Sequence, residues 1–171
     1  MWSSERRRLL AGLAGLLALG ACGFRPLYAE GGPAARLSNR VEIGTITRGT
    51  LPDRMTFTLR DELRRRFGRD PADPAYRLDI ALTVEELGLA ITPDNETTRY
   101  NLTGRAAWSL VPRGAAEPAL AGIAESYTAY SATATVYATR IAARDAERRL
   151  ATALADRIAT QIAARAGQLP A

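Results

Sequence analysis

The sequence predicts an α+β fold: a two-layer sandwich in which two helices cover a four-stranded, mostly antiparallel sheet, in the order β-α-β-β-β-α. Three consecutive segments alternate apolar and polar residues and are joined by short stretches of turn-forming residues, as expected for a meander of half-buried strands. Two other segments repeat apolar residues every four positions, which is the spacing of one helix face. Two amphipathic helices packed on one sheet would bury all of these faces.

The N-terminal 22 residues have the composition of a bacterial export signal. An arginine triplet at 6–8 precedes eleven apolar residues at 9–19, and small residues lead to Cys22, the only cysteine. Eleven residues at 1.5 Å each cannot cross a hydrocarbon core of about 30 Å, so the pattern favours a signal peptide. The alternative is a buried N-terminal helix, which the lack of a polar stripe disfavours.

The stretch LGAC at 19–22 resembles a bacterial lipobox. This resemblance implies that Cys22 becomes the first residue of the mature protein and carries its lipid anchor. Acyl chains contribute roughly 0.8 kcal/mol per buried CH₂, so several of them give stable attachment to a membrane. Gly23 follows the cysteine, and the absence of aspartate at this position resembles the pattern sorted onward to the outer membrane.

The predicted organisation has four parts. Residues 1–21 form a lipoprotein signal peptide, and residues 22–40, rich in glycine and proline, form a lipidated tether. Residues 41–166 form a single α+β domain, and residues 167–171 form a C-terminal tail.

The first strand and the first helix follow the tether. Val41 and Ile43 alternate as in a strand, and Gly44 interrupts the alternation, which predicts a bulge. The next apolar residues recur every four positions: Met55, Leu59, Leu63 and Phe67. Pro52 suits the first turn of this helix, and Gly68 marks its end.

The second strand has a clear period of two on its apolar face: Tyr76, Leu78, Ile80, Leu82 and Val84. Beyond Glu86 the apolar positions change phase to Leu87, Leu89 and Ile91. This change predicts one inserted residue, and therefore a bulge, in the stretch after Glu86.

Two further strands and a long helix complete the fold. The third strand alternates Tyr100, Leu102, Ala106, Trp108 and Leu110, and the fourth lies within residues 119–130. The helix is predicted to begin between Ser131 and Ile141. Its apolar residues again recur in steps of four: Ala142, Ala146, Leu150, Leu154, Ile158 and Ile162.

Composition argues against an enzyme. The chain has no histidine, and all 23 of its basic residues are arginine, so the usual general base and the commonest metal ligand are both missing. We therefore predict no catalytic residue, no metal site and no cofactor. Removal of residues 1–21 would lower the formal net charge from +5 to +3, which is too mild to predict a nucleic-acid partner. The arginine run 64–66 is either a phosphate site or a solvated helix end, and the second interpretation is favoured.

Three stretches carry a resemblance to a known family. They are CGFRPLY at the mature start, TRYNLTGRAAWSLV in the third strand, and YATRIAARDAERRLATALADRIATQIA near the end. Together they resemble the LPS-assembly lipoprotein family LptE, in its alphaproteobacterial form. The resemblance implies a fold of two helices and a four-stranded sheet. It also implies a non-enzymatic outer-membrane lipoprotein, facing the periplasm and a barrel lumen, which plugs the LptD β-barrel and aids insertion of lipopolysaccharide into the outer leaflet.

Two arginines are candidate contact residues. Arg99 and Arg105 share the odd positions of the third strand with Asn101 and Thr103, so the alternation places them on its polar face. The hypothesis is that this face contacts lipopolysaccharide or the barrel wall. The alternative role is that of an outer-membrane lipoprotein that scaffolds another envelope complex.

Three tyrosines near the fourth strand and the last helix have two possible roles. Tyr127, Tyr130 and Tyr137 either pack against the fold or face a partner, and the sequence leaves both open.

Overall fold

The computed structural model describes residues 32, 35, 37–49, 53–69, 71–91, 97–133 and 135–169. The predicted signal peptide, Cys22 and Pro52 lie outside the described residues. The elements are β1 Val41–Arg48, α1 Asp53–Phe67, β2 Tyr76–Ile91, β3 Thr97–Pro112, β4 Leu120–Ser131 and α2 Val136–Arg165, followed by a 3₁₀ turn, Ala166–Gln168. The predicted α+β class and the β-α-β-β-β-α order are confirmed.

The four strands lie side by side in the order β1-β2-β3-β4. β1 runs parallel to β2, because α1 carries the chain back between them, whereas β2, β3 and β4 form an antiparallel meander. Such a parallel pair needs a long crossover connection, and a helix is its usual form. The register of β1 against β2 shifts between Ile43 and Ile46, which confirms the bulge predicted at Gly44.

Both helices pack on the same face of the sheet and form one core with it. The buried residues of α1 are the four that its periodicity predicts: Met55, Leu59, Leu63 and Phe67. In α2 the buried stripe begins at Ala146 and includes Leu150, Leu154, Ile158 and Ile162, whereas Ala142 is only half-buried. On the sheet side, the core takes the even-numbered residues of the three long strands, among them Leu78, Ala106 and Ala124.

Gly104 in β3 lets α2 approach the sheet closely. A Cβ atom at this position would lie 3.0 Å from Leu154 Cδ1 and 3.1 Å from Leu150 Cδ2. Contacts this short are tighter than normal packing, so any side chain here would push the helix outwards.

Gly68 ends α1 as predicted. Its φ of 108° lies in the region that only glycine adopts at low cost. A hydrogen bond from the segment before β1 also fixes this turn: the backbone N–H of Asn39 donates to the Phe67 carbonyl oxygen over 2.5 Å.

α2 begins within the predicted interval. The Thr135 hydroxyl caps the helix by accepting from the backbone N–H of Ala138 at 3.3 Å. Such a cap satisfies one of the N–H groups that the first helical turn leaves without a partner.

The bulge predicted after Glu86 is present, but it lies a few residues further along, where Leu89 is the extra residue of β2 between Gly88 and Ala90. β2 pairs regularly with β3 through Glu86 and Gly88, and the register shifts only around Ala90. Leu87 and Leu89 therefore lie on the face opposite the core, where they are 63% and 54% exposed. From Leu87 onwards the apolar residues of β2 lie on the opposite face of the strand, because this end of the hairpin extends past the main core.

Candidate functional site

The sheet face opposite the helices is the main candidate surface. It carries the odd-numbered residues of β2, β3 and β4, and no element in the described part of the chain packs over it. We call it the open face. Most of its side chains are polar or small, which suits contact with water and with polar partners.

Arg99 and Arg105 both lie on the open face, as the alternation predicted. Arg105 forms an ion pair with Glu125, the residue directly opposite it on β4. Arg99 is exposed and lies at the far end of β3, opposite Ser131. Six residues of strand separate the backbones of these two residues by about 20 Å, so the arginines share a face without being neighbours on it.

A shallow depression of about 560 Å³ lies on the open face, toward the end that is farther from Arg99. Small side chains from all four strands form its floor, among them Thr47, Ala81, Ala107 and Ala121. The side chains of Arg105 and Glu125 stand in the next row along the strands. The depression is broad and open, so it offers contact area and no enclosed reaction chamber.

Tyr130 packs on the helix side of the sheet. Of the two roles that the sequence left open for this residue, it therefore has the packing role. Its ring stacks on Tyr100 with centroids 5.1 Å apart, and its hydroxyl donates to the Glu86 carboxylate over 3.0 Å. Burial, together with this hydrogen bond, raises the pKa of Tyr130 well above its usual value. Tyr127 and Tyr137 are instead about three-quarters exposed, so they are not packed into the described fold.

The arginine run at the end of α1 pairs with carboxylates. Arg65 contacts Asp61 and Glu62, and Arg66 contacts Glu62 and also Asp156 on α2. The Arg65 guanidinium lowers the pKa of the Asp61 carboxyl. These contacts fit a solvated helix surface that links the two helices.

Helix side chains cap both edges of the sheet, and no pattern in the sequence predicted these contacts. On the β1 edge, Arg60 donates to the carbonyl oxygens of Ile43 and Gly44 at 2.7 and 2.8 Å. On the β4 edge, α2 supplies three donors: Arg149 to Ala129 O at 3.1 Å, Gln161 to Ile123 O at 3.0 Å and Arg165 to Ala121 O at 2.9 Å. An open edge strand can pair with another chain. These caps occupy main-chain carbonyl oxygens of the edge strands and so hinder such pairing along most of the edge.

Trp108 ties the end of α2 to the sheet. Its indole N–H donates to the Gln161 side-chain oxygen at 2.8 Å, and the Arg165 guanidinium lies 4.8 Å from the ring centroid. Gly122 leaves room for this arrangement, since a Cβ atom there would lie 2.7 Å from Arg165 and 2.8 Å from Trp108. The Gln161 and Arg165 caps are thus held against the buried Trp108 ring.

Two kinds of feature are absent from the described residues. No group of three or more metal-ligating side chains lies close enough together to hold an ion among these residues. Neither of the long helices has both the length and the hydropathy to cross a bilayer.

Fold and surface together define the class of the protein: a two-layer α+β sandwich whose described residues leave one sheet face, made mostly of polar or small side chains, uncovered. Residues 38–166 match the model of the LptE family, which is described as lipopolysaccharide-assembly. The match spans most of the chain. The protein therefore belongs to the LptE family, as the resemblance implied. No curated protein sequence matches the chain at a significant level.

Three solved structures share the fold. A candidate lipoprotein from Caulobacter crescentus superposes with a TM-score of 0.58 at 23% identity, covering 78% of this chain and 95% of its own. Rare lipoprotein B from Shewanella oneidensis gives 0.51 at 18% identity, covering 70% and 92%. A minor lipoprotein from Acinetobacter baumannii gives 0.54 at 17% identity, covering 75% and 94%. At these identities the likeness shows the fold.

Proposed function

We propose that this LptE-family protein is an outer-membrane lipoprotein, anchored through Cys22, that assembles with the LptD β-barrel and plugs its lumen. In this role it aids the insertion of lipopolysaccharide into the outer leaflet and catalyses no reaction. The observation that carries the proposal is the family match over residues 38–166, which follows a lipobox-like stretch at 19–22.

The surface of the domain is consistent with a place in a wet barrel lumen. Most side chains of the open face are polar or small, and nine of the described arginines form ion pairs, which water tolerates well. Lipid A and the sugars next to it carry phosphates and carboxylates. Arginine binds both groups with two parallel hydrogen bonds.

Depletion of the protein from its native host tests the proposal. We expect less lipopolysaccharide at the cell surface and less mature barrel, since the barrel would lose its plug during assembly. The detergent-solubilised protein should also co-purify with one large β-barrel. Co-purification of a different envelope complex, with normal surface lipopolysaccharide after depletion, would support the scaffolding role instead.

The two open-face arginines give a sharper test. Replacing Arg99 and Arg105 together with alanine should weaken binding of purified lipopolysaccharide at least about tenfold, because each charge-assisted contact contributes about 1.5–3 kcal/mol. Folding should be retained, since an exposed pair such as Arg105–Glu125 contributes only about 0–1 kcal/mol. Fluorescence titration with labelled glycolipid measures the binding.

A matched control removes two arginines from the helix layer, Arg65→Ala with Arg148→Ala, which takes away the same charge on the other side of the molecule. This control should bind like the wild type. In addition, Glu125→Gln should tighten binding, because it frees Arg105 from its carboxylate partner. Equal binding by the Arg99/Arg105 double variant and the wild type would contradict the assignment.

A further inference from the structure

The side chains of α2 that face the β4 edge follow a regular stripe. Arg149, Ala153, Arg157, Gln161 and Arg165 are spaced four residues apart. Four helical residues rise about 6 Å, and two strand residues rise about 6.8 Å. Each step along the stripe therefore matches one outward-facing residue of β4.

The observed contacts fix this register. Arg149 bonds Ala129, Gln161 bonds Ile123 and Arg165 bonds Ala121. By the same steps, Ala153 lies level with Tyr127 and Arg157 lies level with Glu125. The side chain of Ala153 has no hydrogen-bond donor, so it cannot cap the main chain of Tyr127.

The β4 edge therefore has one gap in its row of caps. The outward-facing main-chain groups of β4 belong to odd-numbered residues, as the accepting carbonyls of Ala121, Ile123 and Ala129 show. Within the described part of the chain, no side chain bonds the main chain of Glu125 or Tyr127. These two residues present two N–H and two C=O groups to a partner, and we call this segment the edge window.

The surroundings of the edge window suit an occupant of defined chemistry. A recess of about 500 Å³ lies there, and its lining includes Thr103, Glu125, Tyr127 and Arg157. The Tyr127 side chain is 75% exposed and offers an apolar ring. Arg157 is exposed and forms no ion pair with any described residue, whereas Glu125 is already paired with Arg105. The uncompensated charge at the window is positive.

We propose that the edge window binds a short extended segment of a partner protein that carries a carboxylate side chain. The segment adds to β4 through the main chain of Glu125 and Tyr127, as strands add to exposed sheet edges. Its carboxylate binds the Arg157 guanidinium. The caps at Ala129 and Ile123 limit the added strand to about three residues and fix its register. This contact goes beyond the proposed barrel and glycolipid role.

The test uses the full lipidated chain in detergent and a defined probe, the pentapeptide acetyl-Thr-Val-Glu-Val-Thr-amide. Amide hydrogen exchange is followed by NMR. At a peptide concentration about ten times the dissociation constant, the Glu125 and Tyr127 amides should exchange about tenfold more slowly. Exchange unchanged by the peptide at these two amides overturns the proposal.

A cap built into the gap provides the decisive variant. Ala153→Arg restores the four-residue repeat, covers the Tyr127 carbonyl and should abolish the response to the peptide. Thr160→Arg adds the same charge to an exposed position of the same helix, about 10 Å further along, and should leave the response intact. The fluorescence of Trp108 reports whether both variants fold. An Ala153→Arg variant that folds and still binds the peptide overturns the proposal.

Two changes, made singly and then together, test the contact between the peptide carboxylate and Arg157. Arg157→Gln, or glutamine for glutamate in the peptide, should each weaken binding about five- to tenfold, and the two together should weaken it little further. Additive effects would contradict the contact. Protection of both amides without peptide, rising with protein concentration, would show a second copy in the window and overturn the proposal. If the barrel fails to co-purify, only the proposed function is contradicted, and the peptide result is unaffected.

Discussion

Replacing Leu154 with alanine is expected to lower the free energy of unfolding by about 3–4 kcal/mol. The side chain is fully buried between α2 and the sheet and faces Gly104, so its loss leaves a cavity that the surrounding side chains cannot fill. Losses of this size are a large part of the 5–15 kcal/mol that stabilises a typical domain. Urea unfolding of residues 22–171, followed through Trp108, measures the change.

The control for this variant is Ile141→Ala on the same helix. Ile141 is 43% exposed, so its truncation should cost less than about 1 kcal/mol. Gly104→Ala should also be less destabilising in the Leu154→Ala background than in the wild type, because its new methyl group then has room. Equal losses at positions 141 and 154 would show that the two layers are not packed as described.

Replacing Cys22 with serine is expected to abolish lipidation completely. The thiol is the acceptor of the acyl group in the proposed anchor, and serine cannot form the thioether bond. The 21 residues before it should remain attached, and the protein should be lost from the outer-membrane fraction. Metabolic labelling with a fatty-acid analogue and mass spectrometry of the N-terminus measure both effects.

Gly23→Ser is the matched control for the anchor. It introduces the same residue one position later and keeps the cysteine, so labelling and outer-membrane location should both be retained. An unmodified, uncleaved N-terminus on the wild-type protein from its native host would contradict the anchor, and so would undiminished labelling of Cys22→Ser.

The regular elements could be predicted because their periods are local. The four-residue repeat from Met55 to Phe67 and the alternation from Tyr76 to Leu82 match the buried residues of α1 and β2. Each residue follows the face set by its own helix or strand, and apolar area removed from water stabilises that choice by about 25 cal/mol per Å². The polar face that holds Arg99 and Arg105 followed from the same alternation.

The prediction placed the bulge too early, at the end where β2 extends past its neighbours. Leu87 and Leu89 continue an apolar pattern, but at that end of β2 they occupy the open face. Alternation says which residues share a face, and it does not say which face has a partner. The separation of Arg99 from Arg105 was equally hidden, because a shared face says nothing about closeness along the strand.

The amino-acid sequence by itself determined the two layers, their order and the class of residue on each face, since these depend on spacing within single elements. Only the tertiary structure decided which helix donors meet which strand carbonyls, as with Arg149 and Ala129 or Gln161 and Ile123. Those pairs lie 20 and 38 residues apart, and a hydrogen bond tolerates only a few tenths of an ångström. The edge caps, and the gap at Glu125 and Tyr127, exist because the helix rise and the strand rise nearly match once the two elements are packed together.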